Sequence, residues 1–123
     1  MNAPMKKKLL FVLRHAPYGN SLAKEALDAI LATSAYDQDL SIVFLDDGVF
    51  QLLKSQQAEL IEEKNIINIL SAFPFYEINN LFVCQHSLQV RGIDKTTIID
   101  HVCPVDHIEL TALLANQDHL LSF

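Results

Sequence analysis

A chain of 123 residues, half of them hydrophobic, with three glycines, four prolines and no low-complexity run, is sized for one folded domain and excludes a disordered polymer. The net charge is −6, yet Lys6, Lys7 and Lys8 hold three of the nine basic residues, so the remaining body sets six basic residues against fifteen acidic ones. Such a body repels a phosphate backbone, and no direct nucleic-acid binding is expected.

Residues 1–7 read as a flexible, solvated tail ahead of the first strand. Leu9 to Leu13 is a continuous apolar run, which predicts a strand buried on both faces. It is too short to span a bilayer, and no signal-peptide pattern accompanies it, so a cytoplasmic protein with reduced Cys84 and Cys103 is expected. His15 to Gly19 reads as a loop broken by Pro17 and Gly19. Asn20 or Ser21 is placed to cap a helix from Leu22 to about Ala35 by accepting a bond from its free amides. Leu40 to Leu45 is the second strand. It runs into the turn signal Asp46-Asp47-Gly48, and Val49 to Leu53 reads as a short helical turn.

Ser55 to Ala58 is a polar connector, and Glu59 to about Phe73 reads as a helix with acidic residues early, ended by Pro74. Leu81 to Cys84 predicts a third strand, followed by a short helix from Gln85 to Arg91 that Gly92 stops. The β-branched stretch Thr96 to Ile99, continuing towards Cys103, predicts a fourth strand. Pro104 suits the first position of a helix reaching about Asn116, and Leu120 to Phe123 predicts a last edge strand. Strands alternating with helices define an α/β, three-layer α/β/α architecture around a mostly parallel five-stranded sheet.

Cys84 is the candidate nucleophile. It lies where a strand ends and a helix begins, a place that favours a thiolate, and His86 two residues on offers positive charge. The competing reading is a buried thiol that fills space, so no catalytic residue is assigned from spacing alone. Cys103 with His101, Asp106 and His107 raises a metal site, but zinc sites show tighter, repeated spacing, and packed thiol with surface imidazoles is the expectation. Asp46 and Asp47 could meet a cation; a turn-forming loop is favoured. His15 to Gly19 contains no phosphate loop and the chain no G-x-S-x-G elbow, so neither a nucleotide, another cofactor nor hydrolase chemistry is expected. Phe73-Pro74-Phe75-Tyr76 with Phe82 forms an aromatic cluster, read as core ahead of subunit contact.

Several segments together resemble one family. Phe11 to Gly19 and Glu25 to Ser34 resemble the opening strand, loop and helix of the DsrE/DsrF-like sulfur-relay proteins. Asp47-Gly-Val-Phe-Gln-Leu-Leu53, Val83-Cys-x-x-Ser-Leu-x-x-Arg-Gly92 and the ending Leu120-Leu-Ser-Phe123 are similar to the TusC branch. The resemblance runs from about Lys8 to Phe123. It implies a subunit that joins TusB-like and TusD-like partners in a heterohexamer with two copies of each. That complex takes persulfide sulfur from a TusA-like donor and hands it to a TusE-like acceptor, for 2-thiolation of the tRNA wobble uridine. The resemblance places Cys84 at the position of the TusD-like subunit's persulfide cysteine, while implying that a TusC-like chain can keep this thiol without its being essential. The alternative is a sulfur carrier persulfidated on Cys84 itself.

Overall fold

The computed structural model describes residues 6–17, 21–36, 38–54 and 61–123, with the side chains of 61–65 left aside. The expected tail, apart from Lys6 and Lys7, Asn20 as a cap, and the Ser55–Ala58 connector lie outside the described residues. Five strands form one parallel sheet: β1 (Lys8–Leu13), β2 (Asp39–Phe44), β3 (Leu81–Cys84), β4 (Cys103–Val105) and β5 (His119–Ser122), in the order β4-β3-β2-β1-β5. Among the described residues four α-helices accompany it: α1 (Leu22–Ser34), α2 (Ile61–Ala72), α3 (Gln85–Val90) and α4 (His107–Ala115). The expected α/β class and parallel five-stranded sheet are what the chain forms.

Strand order dictates how the layers fill. From β1 to β4 each strand steps the same way across the sheet, and only the last connection returns to place β5 beside β1. With right-handed crossovers, the first three connections lie on one face and the last on the other. The first face accordingly holds the large core: Phe11, Leu13, Ile42, Phe44, Leu81 and Val83 from the strands meet Ala26, Leu27 and Ile30 of α1, Leu70 of α2 and Phe73 beyond it. The second face has Leu10, Val12 and Val43, covered by α4 through Leu110, Leu113 and Leu114, none of which is fully buried. Five strands are about 19 Å across and a helix about 10 Å wide, so one helix covers roughly half of that face.

The fourth strand departs from expectation. Thr96 to Ile99 is not a strand. Asp94 accepts hydrogen bonds from Thr96 N–H and Thr96 Oγ1, at 3.0 and 3.1 Å, and Thr97 Oγ1 donates to Asp94 O at 2.6 Å. These local bonds close a 3-10 turn at Lys95–Thr97, which outcompetes β-propensity. Ile98 then makes a single antiparallel bridge to Leu53. The true β4 begins at Cys103, and Pro104 lies inside it rather than starting a helix. Proline is tolerated because β4 is an edge strand bonded only to β3, so its missing N–H leaves no ladder bond broken. Asp106 caps α4 in its place, in a reciprocal capping box with Glu109 (2.8 and 3.1 Å).

Two smaller expectations are also corrected. Ser21 precedes α1, but its hydroxyl donates to the Glu25 carboxylate at 3.0 Å instead of accepting from a backbone amide. The aromatic cluster divides: Phe73 is buried, while Phe75 and Tyr76 are exposed and Phe82 is half-buried on the second face. The helical turn after the second strand is a 3-10 helix, Asp46–Leu52, and Gly92 ends α3 with a left-handed φ of 64°. Phe123 closes the sheet by stacking on Phe11, ring centres 6.0 Å apart.

Candidate functional site

The carboxyl ends of β1, β2 and β3 converge on the segment that holds Cys84, where open parallel sheets gather reactive groups. Cys84 is the last residue of β3 and the residue before α3. Leu81 and Val83 enter the first core, so alternation turns Phe82 and Cys84 to the second face, with Cys84 opposite Val105 in the register. Cys84 as a residue is 9% exposed, and its side chain makes no capping bond to α3. The helix behind it has six residues, too few to gather a strong dipole. His86 is exposed on α3 and makes no hydrogen bond or ion pair with Cys84 among the described residues.

Around this point the charged groups are spent on holding loops together. Asp46 adopts a left-handed φ of 52°, rare outside glycine. Its N–H donates to the buried Ser87 Oγ at 2.9 Å, and its carboxylate accepts from Arg14 Nε at 3.0 Å. Asp47 accepts from Arg91 Nε and a second guanidinium nitrogen at 3.1 and 3.0 Å, while Arg91 also donates to Ser87 O. The β2 turn is thereby tied to the end of β1 and to α3. Asp46-Asp47-Gly48 forms a turn, and each of its carboxylates is paired with an arginine. Gly48 is required for its size, since a Cβ would overlap the Leu13 carbonyl.

Gln51 and Ser87 escaped the sequence reading as individual residues. Gln51 is buried, and its amide donates to His15 O at 2.8 Å, pinning the loop after β1; its Oε1 has no partner among the described residues. The available signal was a polar side chain inside the apolar run Val49 to Leu53. Ser87 offered a weaker one, a hydroxyl on the inward face of a short helix.

The second cysteine stands apart. Cys103 is exposed at the start of β4, pairs with Phe82 in the register, and lines a shallow depression of about 300 Å³ with Asp100, His101, Asn79 and Asn80. Of the residues weighed as metal ligands, His101 and Cys103 line the same depression, while Asp106 and His107 are not among its lining residues. His101 lies before the strand, with its ring bonded to Leu70 O at 3.2 Å; Asp106 caps α4; His107 is exposed on α4. Among the described residues, no three His, Cys, Asp or Glu side chains are grouped to hold a metal ion. No described helix is long and apolar enough to cross a membrane.

A five-stranded parallel sheet in this order, interleaved with helices, defines the chain as a small α/β domain. The chain belongs to the DsrE/DsrF-like family, whose sequence profile matches residues 7–123. It is 41% identical over 116 residues to the protein named "Protein TusC homolog" in Vibrio vulnificus strain YJ016, covering 94% of this chain and 98% of that one. The protein of the same name from strain CMCP6 is 40% identical over the same lengths. Among solved structures, the crystal structure of the ychN protein from E. coli superposes with a TM-score of 0.75 at 26% identity, covering 95% of this chain and 99% of the other.

Proposed function

We propose that this single domain is a TusC-like subunit of a TusBCD-like sulfurtransferase complex in the cytoplasm. The complex relays persulfide sulfur from a TusA-like donor to a TusE-like acceptor for 2-thiolation of the tRNA wobble uridine. The observation that carries the reading is the near full-length identity of 41% to a TusC homolog, within a family whose profile spans residues 7–123. In this reading the chain is a supporting subunit rather than the sulfur-bearing one. Support comes from Cys84, which is buried and has no basic or acidic partner among the described residues, and from Asp46, Asp47, Arg14 and Arg91, all of which are committed to loop staples. A thiol activated for transfer ordinarily has a cationic or basic neighbour.

Co-expression with TusB-like and TusD-like chains, followed by native mass spectrometry, tests the assembly. A particle with two copies of each subunit is the expected result; a chain that stays monomeric in the presence of both partners would sink the proposal. The second reading, a carrier persulfidated on Cys84, draws on that residue's place at the carboxyl end of β3. Cells carrying Cys84→Ser as their sole copy are expected to keep tRNA thiolation within about twofold of wild type, the range of a buried, near-isosteric change. Loss of thiolation with the assembly intact would move the chemistry onto this chain.

A further inference from the structure

The opposite end of the sheet, where β2 begins, carries an open groove of about 610 Å³. It lies between the end of α1 with the start of β2 on one side and the turn leading to β3 on the other. Tyr36 and Tyr76 flank it, 71% and 54% exposed, and Phe75 beside Tyr76 is 89% exposed. These rings contribute little to the core, and exposed aromatics of this kind are the residues on which interfaces anchor. The groove is also lined by the acidic residues Asp39 and Glu77 and by Asn80, whose Nδ2 donates to Leu40 O at 3.4 Å. Neither carboxylate has a hydrogen bond or ion pair among the described residues, whereas at the Cys84 end Asp46 and Asp47 are each paired with arginine. Lys6 lines the groove too, but it is not a free cation.

We infer that this groove is a docking site for an arginine side chain presented by an extended segment of a partner protein. A guanidinium offers five N–H donors to the carboxylates and amide oxygen, and its flat face stacks on a tyrosine ring. Lysine satisfies the charge but not the stacking. The surrounding body is acidic as well, which steers a basic segment towards it. The inference rests on the assembly reading only in taking the occupant to be a protein. It places a contact surface at the end of the sheet remote from Cys84.

The first test is a titration of the ¹⁵N-labelled full chain with acetyl-Gly-Arg-Gly-amide, followed by NMR, with lysine and citrulline versions and spermidine as controls. The arginine peptide is expected to give saturable shifts confined to residues 34–40 and 76–80, at concentrations about fivefold lower than the lysine peptide, with none from the uncharged citrulline. The double variant Asp39→Asn, Glu77→Gln, both surface changes, should weaken the arginine peptide about tenfold and flatten its salt dependence. Equal binding of the citrulline peptide, tighter binding of spermidine, or shifts mapping elsewhere would overturn the inference. In the co-expressed assembly, a photoreactive benzophenone amino acid at position 76 should cross-link to a partner segment containing arginine. A cross-link to a segment without arginine would overturn it, as would an intact assembly with no cross-link. Failure of the assembly to form would instead count against the proposed function and leave the peptide result to decide the groove.

Discussion

On the first face of the sheet, Phe11, Ile42, Phe44 and Phe73 are at most 1% exposed, and three crossovers close over them. On the second face α4 buries none of its nine residues fully, and Ile108 and Leu120 remain 78% and 52% exposed. Both faces belong to one sheet with one sequence style, so the difference comes from topology: three connections on one side, one on the other. Stability therefore concentrates on the first face, and the second retains apolar surface that a subunit of an assembly can use. A paired truncation breaks this comparison most directly. Phe73→Ala empties a fully buried site and should cost about 4 kcal/mol, whereas Leu113→Ala on α4 should cost about 1 kcal/mol. Urea unfolding followed by circular dichroism measures both, and near-equal losses would show that the second face carries as much as the first.

Gly48 sharpens the same comparison at the carboxyl end. The 3-10 helix after β2 delivers Val49 and Leu52, both fully buried, to the first core. It can do so because Gly48 sits against the backbone of Leu13 with no side chain between. The neighbouring backbone cannot yield as a flexible side chain would, since Leu13 O already accepts from Leu45 N–H at 3.0 Å. Gly48→Ala should destabilise by about 3 kcal/mol, read as a lower urea midpoint with an unchanged slope. A loss below about 0.5 kcal/mol, the ordinary range of surface changes, would mean the helix rides free of the first face.

What the sequence made legible follows the same division. Long apolar runs such as Leu9 to Leu13 and Leu40 to Leu45 announce buried parallel strands, because both faces must be apolar whatever the partner. Alternation of strands and helices then leads to the α/β class. The fourth strand was illegible for a physical reason: its three residues, Cys103 to Val105, are too few for a periodic signal, and they contain a proline that ordinarily argues against a strand. The β-branched stretch at Thr96 was the stronger signal, and Asp94 overrode it through side-chain bonds. At the site, Cys84 could be placed at a strand end from its neighbours, but its burial depends on Val105 and the second layer, which no local pattern encodes. The same holds for Asp46 and Asp47, whose arginine partners lie 32 and 44 residues away.

Asp94 gives the smallest effect and the one with a defined pH sign. Hydrogen bonds from Thr96 N–H, and then from Thr96 Oγ1, hold its carboxyl below the usual carboxylate value of 3.8. Those bonds favour the ionised form, so the folded chain binds a proton less readily than the unfolded one. The stability they contribute is therefore fully present above pH 3.8 and is lost as pH falls through the lowered folded value. The residue is fully exposed, and solvent screens the contribution. Asp94→Asn should leave the unfolding midpoint nearly unchanged at pH 7 and make the acid limb of the stability curve slightly shallower, since the variant has no carboxyl to titrate there. A steeper acid limb would reverse the sign. It would mean that the turn at Lys95–Thr97, which diverts the chain from a strand between β3 and β4, is held by something other than this carboxylate.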